Sequence, residues 1–204
     1  MLFLSAGTFD YWQAWVLIAL FTLPTWVLSI YMLRNNPAAL ERRLRAEAVG
    51  ETRMFQKVIA SLALLLVMAS IVFSALDHRF GWSPVQTTLC LVGDVVVAIG
   101  LGFAILVMTQ NAYAGTTVLV EAEQRLVSTG LYGLVRHPMY TGNVIMMMGI
   151  PLALGSYWEL TFVIPGVVVF GLRIRDEEAL LMQELSGYHE YAQQVQYRLV
   201  PYVW

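Results

Sequence analysis

An all-α integral membrane protein with about five transmembrane helices is the fold this sequence predicts, and three observations carry it. Of its 204 residues, 58% are hydrophobic and only 13% charged, too few charges for the surface of a water-soluble domain. Apolar stretches recur at lengths that cross a hydrocarbon core of about 30 Å. The basic residues are also sorted to one side. With the N-terminus outside, Arg34, Arg42, Arg43, Arg45, Arg53, Lys57, Arg125, Arg136, Arg173, Arg175 and Arg198 face the cytoplasm and only Arg79 faces away, the bias expected of cytoplasmic segments. Net charge is −2. The expected partner is the lipid bilayer, with no nucleic acid.

The first span is read at residues 11–33, with Tyr11, Trp12 and Trp15 at one end and Tyr31 at the other as interfacial aromatics. Pro24 interrupts it and predicts a kink. Residues 34–57 interleave arginines with Glu41, Glu47 and Glu51 and read as a polar helix outside the core, its charged face solvated. A second span covers 58–76 and ends at Asp77-His78-Arg79; a third covers 85–110. Asp94 in the third span is costly at that depth. Gly93, Gly100 and Gly102 would let a neighbouring helix approach, and a hydrogen bond to that neighbour is preferred for Asp94 over catalysis.

Residues 111–137 form the longest loop, with Glu121, Glu123, Gln124 and Arg125. Residues 138–172 are apolar except for Glu159, and their length exceeds one span. A break at Gly155-Ser156-Tyr157-Trp158 turns them into a helical hairpin whose free ends both return to the cytoplasmic side. Cys90 is the single cysteine, which excludes an internal disulfide and offers no zinc site. No basic stretch precedes the first apolar run, so no cleaved signal peptide is expected. Residues 1–110 thus form a three-span region, and 111–204 a loop, hairpin and C-terminal helical segment, within one structural domain.

Two polar segments stand at the hairpin's ends. The first is Gly130-Leu-Tyr132-Gly-Leu-Val-Arg136-His137-Pro138-Met-Tyr140. Pro138 suits the first turn of a helix, which puts Arg136 and His137 beside free helix N–H groups, a natural place for an anion. The second is Arg173-Ile-Arg175-Asp176-Glu177-Glu178, where Arg173 and Glu177 share a helix face. Taken singly, Arg136, Arg173 and Arg175 are membrane stops and the glutamates a solvated turn. Together they put cations, carboxylates, a histidine and tyrosines at one boundary, which topology alone does not require.

These segments resemble the isoprenylcysteine carboxyl methyltransferase family of integral membrane methyltransferases, which is related to the phospholipid methyltransferases. The shared pattern is Gly-x-Tyr and Arg-His-Pro-x-Tyr, then after a hairpin Arg-x-x-x-Glu-Glu, Gly-x-x-x-Tyr and Arg-x-x-Pro. Here these are Gly130, Tyr132, Arg136 to Tyr140, Arg173, Glu177, Glu178, Gly187, Tyr191, Arg198 and Pro201. The resemblance covers residues 115–204; residues 1–110 match only in being hydrophobic spans. It implies an enzyme that uses S-adenosyl-L-methionine without a Rossmann fold, leaves S-adenosyl-L-homocysteine as product, and keeps its cofactor site at the cytoplasmic boundary. It places the cofactor on Gln124, Leu126, Val127, Tyr132, His137, Pro138, Tyr140 and Glu178 or, one position away, Glu177. Eukaryotic members carry His where this chain has Gln124. Arg173 corresponds to an arginine on the substrate side.

The chemistry of the residues agrees with that placement. The cofactor's carboxylate would suit Arg136 or the helix start, its ammonium Glu178, and its sulfonium the tyrosine faces. A carboxylate acceptor needs no general base, and Arg173 would orient it; for an amine acceptor, Glu177 or His137 would be the base. The acceptor is expected to enter laterally from the bilayer, as a prenylcysteine-type carboxylate, a phospholipid amine or a small thiol. Two other classes stand beside this one: a sterol-reductase-type enzyme using NADPH, and a non-enzymatic membrane adaptor.

Overall fold

The computed structural model describes residues 1–51, 53–115, 120 and 124–204, without the side chains of residues 43 and 46–49. The expectations for Glu121 and Glu123, and for the side chains of Arg43 and Glu47, lie outside the described residues. The described residues are helical with no strand. In chain order come α1 (Leu2–Ala6), α2 (Trp12–Asn35), α3 (Pro37–Val49), α4 (Met54–Phe80), α5 (Thr87–Gln110), α6 (Pro138–Ala153), α7 (Val163–Glu184) and α8 (Tyr188–Gln194). Short 3-10 turns cover Gly130–Gly133 and Trp158–Phe162.

Helices α2, α4 and α5 are each long and apolar enough to cross a membrane. Their outward faces carry Leu23, Trp26, Leu64, Leu65, Val95 and Ile99, all exposed, so these helices require an apolar solvent around them. Several boundaries differ from the expected ones: the polar helix read over 34–57 is α3, which ends at Val49, and α7 runs past 172 to Glu184. Helix α4 runs past its apolar stretch at both ends, because Gln56 and Asp77 are buried by polar partners and the backbone has no reason to stop there. A short helix, α1, precedes the first span and packs on α4; five residues are too few to show a helical period.

The expected hairpin is present as α6 and α7, broken at Leu154–Tyr157. Its most intimate neighbour is α5, and glycines explain the approach. A Cβ on Gly93 would fall on the backbone of Ala153; one on Gly100 would lie 2.7 Å from the carbonyl oxygen of Gly142. Gly149 answers from the other helix, 2.9 Å from the Gly93 carbonyl oxygen. Contacts that rise along α5 and fall along α6 make the pair antiparallel. Gly102 takes no part, with open space where its side chain would be. Asp94 is 8% exposed, and neither carboxylate oxygen has a hydrogen-bond partner among the described residues. The bond expected between Asp94 and a neighbouring helix is therefore not formed.

Away from the Arg136 end, the hairpin turn is fastened to α4 by polar groups. The Ser156 hydroxyl donates to Asp77 (2.5 Å), the Ser83 hydroxyl donates to the same carboxylate (2.6 Å), and Ser74 donates to Glu159. Burying a carboxylate is costly without such partners. This clamp fixes where α6 and α7 begin and end, and hence where their other ends meet.

Candidate active site at the helix ends

That meeting point is built first from backbone. The N–H of Arg136 donates to the Tyr197 carbonyl and that of His137 to the Arg198 carbonyl, both at 2.9 Å. The Thr141 hydroxyl donates to the Leu199 carbonyl at 2.8 Å. The segment carrying Arg198 is thereby laid across the entry of α6. Arg136 and His137 do stand at a helix start, with Pro138 in its first turn, but their own N–H groups are already used.

Side chains then fill the junction. Glu178 is 7% exposed and serves three cations or potential cations. Arg198 Nε donates to it at 2.8 Å, Arg136 Nε lies 3.2 Å away, and His137 Nε2 is also at 3.2 Å. Burial opposes the Glu178 charge, yet the bonds from His137 and Arg198 and the nearby charge of Arg136 outweigh it and hold its pKa below the ordinary value. Glu177 has a different setting. The Tyr140 hydroxyl donates to it at 2.8 Å, and His137 Nδ1 lies 3.8 Å away. The same Tyr140 oxygen accepts from Arg173 Nε at 2.9 Å, and Arg173 Nη2 donates to Glu51. Arg173 and Glu177 share a face of α7, as their spacing predicts, with Tyr140 standing between them.

A cavity of about 520 Å³ opens beside these groups, within the range of small-molecule sites, about 300–1,000 Å³. Gln124, Leu126, Val127, Tyr132, Arg136, His137, Pro138, Tyr140, Arg173 and Glu177 all line it. Glu178 does not, so the carboxylate facing the cavity is Glu177 and Glu178 stands behind the wall. Apolar chains of Leu181 and Leu185 continue the lining, with Tyr188 and Tyr191.

Sequence reasoning passed over two residues here. Tyr188 is 3% exposed, and its hydroxyl is buried with no partner among the described residues while its side chain borders the cavity. Burial pushes the phenols of Tyr188 and Tyr191 well up, so both remain protonated donors. The Tyr191 hydroxyl donates to the Tyr132 carbonyl at 2.7 Å. Gly187, at φ +81°, makes the sharp entry to α8 that brings both tyrosines inward. The second residue is Glu51, which the sequence presents as one more charge on a solvated helix. No signal in one sequence pairs it with Arg173, 122 positions away.

A second cavity, of about 430 Å³ and almost wholly apolar, lies between α2, α4, α6 and α7. It shares Ala63 and Phe170 with the first. The Phe170 ring lies 5.5 Å from that of Tyr140.

An all-helical membrane protein with a polar pocket at the ends of its helices is the class that fold and site define. Residues 88–188 match the family described as phospholipid methyltransferase. The matched residues are just under half of the chain, which is similar to that family there. Its fold is similar to that of the eukaryotic intramembrane Ras methyltransferase, isoprenylcysteine carboxyl methyltransferase. The TM-score is 0.50 and the identity 21%, over 72% of this chain and 52% of that one. The chain is also 31% identical over 91 residues to the Delta(14)-sterol reductase TM7SF2 of Mus musculus, spanning 43% of this chain and 22% of the reductase. The chain thus matches only about half or less of these relatives' lengths.

Proposed function

We propose that this protein is an S-adenosylmethionine-dependent methyltransferase acting at the cytoplasmic membrane boundary on a lipophilic acceptor, a prenylcysteine-type carboxylate. The observation that carries this reading is a cavity in which one carboxylate, Glu177, faces inward while each arginine of the junction has an acid partner. Arg136 and Arg198 are paired with Glu178, and Arg173 with Glu51. A cavity whose lining carboxylate, Glu177, is engaged by the Tyr140 hydroxyl and by His137 at 3.8 Å and by no arginine suits a zwitterion that carries a further positive charge. The unpartnered Tyr188 hydroxyl supplies a donor that such a ligand would satisfy.

The residues fit the cofactor as follows. Glu177 meets the ammonium, Arg136 and the start of α6 the carboxylate, and Leu126, Val127, Leu181 and Leu185 form an apolar shelf for a flat base. Tyr132 and Tyr140 present π-faces and oxygens to a sulfonium. When bound, S-adenosylmethionine supplies an electrophilic methyl group. The chain's own work is then to orient and to exclude water. Arg173, held by Tyr140, directs an ionised acceptor that needs no base; alignment in a water-poor cavity lowers the barrier. The apolar cavity beyond Phe170 gives a lipid chain room to approach from the bilayer. In this reading the hairpin α6–α7 completes five spans, with the N-terminus outside and the site and C-terminus cytoplasmic.

A thermal-shift titration in detergent tests the reading. S-adenosylhomocysteine at several hundred micromolar raises the midpoint, because a ligand of the native state alone stabilises it. The likeness to the sterol reductase supports a second reading, in which the cavity takes NADPH. Arg136 and Arg173 are already paired with carboxylates, and Arg125, which also lines the cavity, is exposed; one exposed arginine is too little positive charge for that ligand's phosphates, so NADPH is expected to leave the midpoint unchanged. A shift with NADPH and none with S-adenosylhomocysteine reverses the choice.

A further inference from the structure

Arg173 is the group that the proposed reaction assigns to the acceptor, and its guanidinium is already engaged. Nε and Nη2 form the side-on fork with which an arginine grips both oxygens of a carboxylate. In this structure Nε donates to the Tyr140 hydroxyl at 2.9 Å and Nη2 donates to Glu51. One hydroxyl oxygen and one carboxylate oxygen thus stand on the fork as the two oxygens of a bound carboxylate would. Both side chains of the Glu51–Arg173 pair are 8% exposed, so the pairing is not a surface accident. Glu51 comes from the segment between α3 and α4, just after Gly50. Gly50 has φ +67°, with nothing within 4 Å of where its side chain would be. The start of α4 is separately held to α7, where Arg53 Nη2 and Gln56 Nε2 donate to the Asp176 carboxylate at 2.8 and 2.5 Å. The contact between α4 and α7 thus does not depend on the Glu51–Arg173 pair.

We propose that Glu51 is the resident counterion of the acceptor site, and that an acceptor carboxylate docks on Arg173 by exchanging with it. This rests on the methyltransferase reading with a carboxylate acceptor. The charges then balance through the cycle. An acceptor carboxylate oxygen forms a bond to the methyl carbon, the carbon–sulfur bond breaks, and its electron pair stays on sulfur. The sulfonium becomes a neutral thioether and the anionic acceptor a neutral ester. Arg173 would be left as a buried cation without a counterion, a costly state. Return of Glu51 relieves it and displaces the ester. Glu51 thereby sets specificity: it competes with carboxylates and ignores their esters, and it favours release of product over rebinding.

The test measures binding of N-acetyl-S-farnesylcysteine and of its methyl ester in detergent, by calorimetry, to the unmodified protein, Glu51→Gln and Glu51→Asp. Glu51→Gln removes the competing charge and is expected to bind the acid about ten-fold more tightly, the equivalent of about 1.4 kcal/mol, with the ester unchanged. Glu51→Asp restores the charge and behaves as the unmodified protein. Equal acid affinity in the unmodified protein and Glu51→Gln overturns the proposal, as does failure of the acid to bind either. Parallel weakening of acid and ester with a lowered thermal midpoint assigns Glu51 a purely structural role and also overturns it. S-adenosylhomocysteine is titrated into the same samples. If it binds while the acid-to-ester ratio does not move, the exchange alone falls; if it fails to bind the unmodified protein, the methyltransferase reading falls and takes the exchange with it.

Discussion

Neutralising the two adjacent glutamates of α7 should do two different things. Glu178 is buried among Arg136, Arg198 and His137 and lies off the cavity; Glu177 faces the cavity and its side chain is 22% exposed. Replacing Glu178 by Gln strands cations that hold the C-terminal segment across the start of α6. Breaking a buried pair from one side costs about 3–5 kcal/mol. The lower end applies here, because the Arg198 side chain is 32% exposed and water screens part of the loss. About 3 kcal/mol lowers the midpoint of a chain this size by about 6–12 °C. Replacing Glu177 by Gln leaves the packing intact and removes a charge-assisted bond to the cofactor's ammonium. Such a bond is worth about 1.5–3 kcal/mol, or roughly a ten- to hundred-fold loss of affinity. Thermal melts and S-adenosylhomocysteine titrations on both variants in detergent are the assay. A Glu178→Gln protein with an unchanged midpoint and weakened binding, beside a Glu177→Gln protein that binds normally, would refute this division of labour.

Acid should act through Glu178. Its folded pKa lies below the ordinary 4.5, so its contribution is complete above that value and is lost as pH falls through the lower folded one; midpoints measured from pH 7 to pH 3 should fall steeply only below about pH 4.5 in the unmodified protein, and Glu178→Gln should lack that component. Gly93→Ala should cost at least about 1–3 kcal/mol by forcing α5 and α6 apart, whereas Gly102→Ala, with nothing within 4 Å, should be neutral; size-exclusion yield after heating separates them. With Cys90 replaced by Ser, a cysteine at Phe9 should react with an impermeant thiol reagent on intact cells, and one at Glu190 only after permeabilisation. The reverse pattern would invert the proposed topology.

The positions of the helices were legible from residues in series. Hydropathy set α2, α4 and α5 within a few residues of where they lie, and the Gly155-Ser156 break marked the hairpin, because a bilayer's thickness constrains each stretch on its own. The Arg136–Tyr140 and Arg173–Glu178 segments were likewise recognisable as partners, since a hairpin must return its ends to one side. Which glutamate faces the cavity was not legible. Adjacent residues on a helix point about 100° apart, so one position decides between the wall and what lies behind it, and that angle is fixed by α7 packing against α6. Gly93 and Gly102 look alike in sequence, yet only Gly93 meets another backbone. Nor could spacing join Glu51 to Arg173 or orient Tyr188, whose places follow from the α4–α7 contact and the turn at Gly187. Sequence determines which segments leave water, since burial in lipid is a property of each segment's own side chains. Tertiary structure alone decides which charges neutralise one another, because that depends on distances between segments that the chain does not fix locally.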